Sequence, residues 1–309
     1  MKAINFSKGF LAIGKTQESR EAGEGGFKRY VGLGSTFVKA VQPTKAEIDE
    51  FFGYESQAEP EYVKDGENGK EAHITFLLQT DSKVHEGIDI KNRITFVLRQ
   101  APDYNKDQTR VRVIDGYGNY TWANVEDAKA GKALVNADGN PKMIDTKYRM
   151  ACVGECDLVS FLKKYLWVQS AFNYVDGVWV KKEDADSYKF ALENIKDYFK
   201  GDFKELKGAL NLQPNNKIKL LYGVRTTDEG KQYQSICTKG ELMLPNAANI
   251  KAVNKLEKDL VNAKQSGMFS NIDYRVCELQ EWDVKPTNLE EATSNDPLSS
   301  SEDNDMWNF

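Results

Sequence analysis

The sequence predicts an α+β fold in which an antiparallel sheet or small barrel carries a helical insertion. Strand-like runs joined by short loops rich in Gly, Asp and Asn occur over residues 30 to 122, and strand patterns return over 217 to 282. Between them, near 155–212, apolar residues repeat at helix spacing. Because strands flank the helices, we expect both halves to share one core.

Composition limits the class of protein. The 309 residues, 40% hydrophobic and 29% charged, are enough for a full core. No apolar run approaches the ~20 residues of a membrane helix, and the N-terminus lacks the apolar segment of a signal peptide. We therefore expect a cytoplasmic protein that does not associate with membranes. In that compartment the four cysteines (Cys152, Cys156, Cys237 and Cys277) are expected to be free thiols.

The chain begins with a polar, glycine-bearing stretch that predicts a flexible arm over residues 1–29. A strand over 30–41 follows, in which Gly32 and Gly34 predict a bulge or strong coiling. Thr44 and Glu47 form a capping box that opens a short helix ending before Gly53. Residues 54–70 are polar and predict a loop.

Further strands and helices follow from their periodicity. Strands are predicted at 72–78, 93–99, 109–115, 117–122, 217–225, 231–237 and 274–279, with 217–225 and 231–237 forming a hairpin. Helices are predicted at 158–166, 188–199, 203–210 and 253–261. Gly201 and Asp202 predict a helix end followed at once by a helix start. Residues 123–147 are small and polar, which predicts a long loop. Because strands are predicted on both sides of the helices, residues 30–285 are expected to form one domain.

A strand in the middle of the sheet combines guanidinium groups with aromatic rings. Arg110 and Arg112 lie on one face of this strand and Val111 and Val113 on the other. Cations for phosphates and ring faces for bases are what single-stranded nucleic acid requires. The candidate binding residues are Arg93, Arg99, Arg110, Arg112, Tyr117, Tyr120, Trp122, Arg225 and Tyr233. The alternative is that the aromatic residues belong to the core and the arginines to a solvated strand face.

The last 24 residues differ from the rest of the chain. Residues 286–309 contain six acidic residues, no Lys or Arg, and almost nothing apolar before Met306. Such a segment cannot bury enough surface to order itself, so a disordered acidic tail is expected. Removing its six negative charges from the net charge of −5 leaves +1 for residues 1 to 285. The terminal Trp307 and Phe309 suggest a short peptide displayed for a partner's pocket.

This tail resembles that of the single-stranded-DNA-binding proteins of bacteria and their phages. The residues that carry the resemblance are Glu302, Asp303, Asp305, Trp307 and Phe309. The resemblance implies a non-enzymatic protein of DNA replication or recombination without a cofactor. Its barrel would be of the oligonucleotide-binding type, and its tail would recruit a polymerase, helicase or primase and compete with DNA. The body of the chain also resembles replication proteins of crAss-like phages, although no single motif carries that likeness; a phage-encoded protein would act in the host cytoplasm.

Three other interpretations remain open. Gly9 to Thr16 matches the phosphate-loop pattern G-x-x-x-x-G-K-[ST], which would make the protein a nucleotide hydrolase, but the glycines of 22–26 would end the helix that this motif requires. The four cysteines could hold a zinc ion, but the spacing of Cys152 and Cys156 does not match paired zinc ligands and no metal is expected. The tail could instead dock a virion or assembly protein.

Overall fold

The computed structural model describes residues 29–81, 90–144, 147–165, 172–175, 178–181, 195–211, 216–246, 248, 250–276 and 284–285. Nearly all of the arm predicted over 1–29, the Gly9–Thr16 motif and the tail over 286–309 lie outside these residues.

The described strands, in chain order, are β1 (Arg29–Tyr30), β2 (Gly32–Val41), β3 (Val63–Gly66), β4 (Gly69–Thr80), β5 (Lys91–Arg99), β6 (Arg110–Asp115), β7 (Tyr120–Asn124), β8 (Tyr148–Met150), β9 (Phe172–Val175), β10 (Val178–Lys181), β11 (Lys217–Thr226), β12 (Gln232–Ile236), β13 (Leu244–Pro245), β14 (Ile272–Tyr274) and β15 (Val284–Lys285). The described helices are α1 (Lys45–Phe52), α2 (Val125–Lys129), α3 (Val153–Tyr165), α4 (Ile195–Tyr198), α5 (Lys204–Asn211) and α6 (Ile250–Gln265), and a 3-10 turn covers Gly240–Leu242.

The main sheet is antiparallel and has the order β5–β4–β2–β11–β12. The strand β3 pairs with β4 on the same side as β2 does. The strands β13 and β14 pair with β11. Strands from the first and last thirds of the chain therefore lie side by side. The predicted α+β class and antiparallel sheet are confirmed. The alternative of a closed barrel is wrong, because the sheet is open.

Three smaller β units accompany the main sheet. The strands β7, β6 and β8 form an antiparallel three-stranded sheet in that order, hereafter the small sheet. The strands β9 and β10 form a hairpin within the region predicted to be a helical insertion, so that region is not wholly helical. The strands β1 and β15 pair with each other and bring the two ends of the described chain together.

The helix α3 lies between the two sheets and is buried on both sides. Four of its apolar side chains belong to the main core with the inner face of β4 and β5, namely those of Leu158, Phe161, Leu162 and Tyr165. Cys156 and Val159 instead pack on Ile114 of the small sheet. The rings of Phe76, Phe96 and Phe161 meet with centroids 4.9 to 5.9 Å apart. A helix predicted to belong to an insertion is therefore the centre of the core.

The start of α3 is held against β5, the strand at one edge of the main sheet. Asp103 accepts a hydrogen bond of 2.6 Å from the Val153 amide, and the Arg99 amide donates to the Cys152 sulfur over 3.3 Å. Gly154 packs directly on the Val97 carbonyl, where an added Cβ would overlap the oxygen. Only glycine allows the helix to approach the strand this closely.

The local signals near α1 behave as predicted. Thr44 caps the helix, and the reciprocal hydrogen bonds with Glu47 complete the capping box. Gly53 ends the helix with a left-handed φ of 73°. At the later junction, Gly201 has a φ of 83° and Asp202 accepts from the Lys204 amide, as expected for a helix end followed by a helix start.

Other local predictions require correction. The bulge in β2 lies between Val38 and Ala40 and not at the glycines, because Gly32 and Gly34 both pair in register with β11. The loop predicted over 54–70 contains β3, and the loop predicted over 123–147 contains α2. Both elements are short and polar, so neither has a clear hydrophobic period. Of the helix predicted over 188–199, the described part is α4.

Glycine substitutions test the close approach of α3 to β5. We expect Gly154→Ala to lower the free energy of unfolding by ~1–3 kcal/mol through overpacking. We expect Gly208→Ala, in the exposed interior of α5 with open space around it, to raise it by ~0.5–1 kcal/mol. Urea unfolding followed by circular dichroism measures both. A Gly154→Ala protein as stable as the wild type would contradict the packing described.

Candidate nucleic-acid interface

In the strand β6 of the small sheet, the arginine side chains lie on one face and the valine side chains on the other. Val111 and Val113 are fully buried on one face, where they pack with Ala123 and Met143. Arg112 lies half-buried on the opposite face, and Arg110 is exposed. This alternation is the one that the sequence predicts.

Arg112 lies between two aromatic rings. It pairs with Trp122 across β6 and β7, and Tyr120 pairs with Ile114 on the same face. The guanidinium carbon lies 4.6 Å from the Trp122 ring centroid and 5.4 Å from that of Tyr120. We refer to Arg112, Tyr120 and Trp122 as the Arg112 ladder. Its register explains the geometry, since directly paired residues of an antiparallel sheet project from the same face.

The Arg112 guanidinium lacks a hydrogen-bond partner for one of its donors. Its Nε atom is buried and unbonded, and within the described ranges no carboxylate lies at salt-bridge distance from Arg112. Buried donors in native proteins are almost always paired. In the Arg112 ladder, a cation therefore lies between aromatic rings, and its Nε donor is not used within the described residues.

A polar layer lies behind the ladder, where α3 meets the 3-10 turn. Asp157 accepts a 3.0 Å hydrogen bond from the Gly240 amide, and Lys164 donates to the Gly240 carbonyl. Burial raises the pKa of the Tyr120 phenol and of the Asp157 carboxyl, and lowers the pKa of Lys164 to about 8. The ring of Tyr120 is thus held in place from behind, with its hydroxyl beside Gly240.

Two of the predicted binding residues have structural roles. Tyr117 is 7% exposed in the turn between β6 and β7, so its ring is not available for stacking in this conformation. Arg99 donates two hydrogen bonds, of 2.7 and 3.0 Å, to Asp103, which also receives the first amide of α3. Its charge is therefore neutralised at a packing contact.

The remaining predicted residues lie on the main sheet. Arg225 and Tyr233 pair across β11 and β12, with the guanidinium 5.5 Å from the ring centroid. Arg93 lies on β5, beside Tyr54 and Tyr62. Burial raises the pKa of both phenols, and the Arg93 charge partly offsets this increase. The residues predicted for one groove thus occupy two sheets, and the ladder is where three of them meet.

Several predicted features fall outside the described residues. They are Cys277 and the tail residues Glu302, Asp303, Asp305, Trp307 and Phe309. Cys152, Cys156 and Cys237 are free and buried, and burial raises the pKa of the Cys156 thiol. Over the described ranges, no group of His, Cys, Asp and Glu side chains has the arrangement of a metal site. No helix in this part of the chain is long and apolar enough to span a bilayer.

The predicted binding residues leave out a second set of cations and rings. The Lys39 and Lys217 ammonium groups lie 5.1 and 5.0 Å from the Phe37 ring centroid, and that of Lys91 lies 5.4 Å from the Phe51 ring. The alternation of Phe37 with Lys39 along β2 was a usable signal. The pairing of β2 with β11 was not, because these strands are far apart in sequence.

Comparisons with known proteins leave the site to be interpreted from its own chemistry. No protein family model matches the chain, and neither a curated protein nor a solved structure matches it.

Lys164 offers a test of the polar layer behind the ladder. Because its pKa falls from 10.5 to about 8 on folding, the unfolded chain binds more protons between these values, and wild-type stability should rise with pH across that window. We therefore expect the stability of wild type relative to Lys164→Met to increase from pH 8 to pH 10 in urea unfolding. The exposed Lys258→Met protein is the control, and its difference from wild type should stay constant. A constant difference for Lys164→Met as well would contradict the burial of this ammonium group.

Proposed function

We propose that the protein is a non-enzymatic single-stranded-DNA-binding protein that acts in replication or recombination. The observation that carries this proposal is the Arg112 ladder, in which a guanidinium group with no carboxylate at salt-bridge distance in the described residues is held between Trp122 and Tyr120. A cation among aromatic rings binds phosphates while the rings stack bases, regardless of sequence.

Each residue of the ladder has a different part in this function. Arg112 provides the charge and donors for a phosphate, and exposed Arg110, two residues along the same face, provides a second cation. Trp122 is half-buried and offers a ring on which a base stacks. Tyr120 is packed against α3 and acts as a support for Arg112. Arg225 with Tyr233, and Arg93, would continue the contact with the strand elsewhere on the protein.

The acidic tail would regulate access to these cations. Residues 286–309 carry all the excess negative charge of the chain, so they compete electrostatically with DNA phosphates for the same arginines. Once DNA displaces the tail, Trp307, Phe309 and the nearby acids are available to a polymerase, helicase or primase. This mechanism needs no cofactor.

Substitutions in the ladder test DNA binding. We expect Trp122→Ala to weaken binding of a labelled oligothymidine by ~10-fold, since stacking is worth ~1–3 kcal/mol per base. Arg112→Ala should also weaken binding and should reduce the slope of log K against log salt by ~0.7, the effect of one phosphate contact. Fluorescence anisotropy at several salt concentrations measures both.

Two further variants make this test specific. Arg112→Lys keeps the charge but not the planar group, so its affinity should lie between those of wild type and Arg112→Ala. Arg275 already pairs with Asp273 at 3.4 Å, and Arg275→Ala should bind DNA as the wild type does. Failure of the wild-type protein to bind oligothymidine at low salt would overturn the proposed function and favour a virion or assembly role.

Truncation tests the role of the tail. A chain that ends at Leu298 should bind oligothymidine more tightly than the full chain at low salt and should lose binding to the replication partner. Replacing Glu302, Asp303 and Asp305 by the corresponding amides should reproduce the tighter DNA binding. Replacing Trp307 and Phe309 by Ala should abolish only partner binding. Weaker DNA binding after truncation would show that the tail does not compete.

A further inference from the structure

A row of polar and aromatic side chains crosses four strands on the face of the main sheet that points away from α3. Lys217 pairs with Phe37, Phe37 with Gln79, and Gln79 with Lys91, so the four residues lie side by side on β11, β2, β4 and β5. We refer to them as the outer row. Neighbouring strands are ~4.8 Å apart, so the three steps of the row span about 14 Å.

The outer row has the same chemistry as the Arg112 ladder but uses different residues. The Phe37 ring is half-buried and has the ammonium groups of Lys39 and Lys217 about it, at 5.1 and 5.0 Å. At the other end, Lys91 lies 5.4 Å from the Phe51 ring and donates a 2.8 Å hydrogen bond to the Phe51 carbonyl. Ammonium groups thus lie beside the ring of Phe37 in the row and beside the ring of Phe51 next to its other end.

The charges of the row, and those of Lys39 and Arg93 beside it on β2 and β5, are only partly neutralised. Lys217 pairs with the buried Asp81, which makes it a structural cation. Within the described ranges, Lys39, Lys91 and Arg93 have no carboxylate at salt-bridge distance, and Lys39 and Lys91 are exposed. Their flexible stems can move an ammonium group from a ring to an anion without disturbing the sheet.

The outer row lies between the segment that leads into α6 and the end of α1. On one side, Ser35 and Lys219 bind Asn246 and Ala248, the residues that lead into α6. On the other side lies the end of α1, which contacts Lys91. Leu33 and Leu221, on the same face, are covered by α6. The outer row is thus a strip of surface that runs across the strands, between these two elements.

We propose that the outer row is a second binding segment for single-stranded DNA, in which Lys39, Lys91 and Arg93 bind phosphates and Phe37 receives a base. This inference rests on the proposed function but uses none of the residues of the ladder. Cations beside ring faces at two points along the sheet fit a polyanion that carries planar bases at regular intervals, and an acidic peptide has no such regular planar groups. Each cation that contacts a phosphate adds to the salt dependence of binding.

The experiment compares short and long oligothymidines with matched double variants. Lys39→Ala with Lys91→Ala should leave binding of a short oligomer to the ladder nearly unchanged and weaken binding of a long one at least tenfold. For the long oligomer it should lower the salt slope by ~1.4, since each single-strand phosphate contact contributes ~0.7. Phe37→Ala should weaken binding of the long oligomer without changing this slope. Lys251→Ala with Lys258→Ala removes two exposed lysines of α6 and is the control, for which affinity and slope should match the wild type.

A second readout does not depend on affinity. Photo-cross-linking of a long 4-thiothymidine oligomer, followed by peptide mapping, should label the peptide that contains Phe37, and Trp122→Ala should not prevent this labelling. Wild-type affinity in the Lys39 and Lys91 variant, together with no label at Phe37, would overturn the inference and leave the ladder intact. Failure of the wild-type protein to bind any oligomer would instead overturn the proposed function itself.

Discussion

Burial of α3 on two sides is the constraint on which the rest of the structure depends. A helix with apolar residues on one stripe needs one covering layer, but α3 is covered by the main sheet on one side and by the small sheet on the other. One face of the small sheet packs on α3 through Ile114, so its position depends on that helix. The Arg112 ladder lies on that face of the small sheet, where Tyr120 packs against the helix. A change in how the helix begins, at Asp103 and Gly154, would therefore move the candidate interface as well as the core.

The parts of the fold that sequence could predict are those determined over a few residues. The capping box of Thr44 and Glu47 and the left-handed Gly53 depend only on local backbone geometry. The separation of Arg112 from Val111 follows from the two-residue period of a strand. The association of Arg112 with Trp122 was also within reach, because β6 and β7 form a hairpin whose turn sets the register.

The rest depends on contacts between distant residues. Pairing of β2 with β11 joins positions about 180 residues apart, and no local pattern encodes it. The neutralisation of Arg99 by Asp103 depends on where α3 begins, and the burial of Tyr117 depends on packing beside that helix. The outer row was hidden for the same reason, because its four members come from four strands. A sequence shows which side chains share a strand face, whereas the order of strands decides which faces become one surface.

The contact between α3 and β5 also covers part of the edge of the main sheet. An edge strand normally presents unpaired amides and carbonyls to which another chain can add a strand. Here the Arg99 amide is bonded to the Cys152 sulfur and the Val97 carbonyl is covered by Gly154, so this part of the edge has no free ladder positions. A second copy of the chain therefore finds no backbone groups at these two positions to which it can add a strand. The start of α3 thus protects this part of the sheet edge against pairing between copies of the chain.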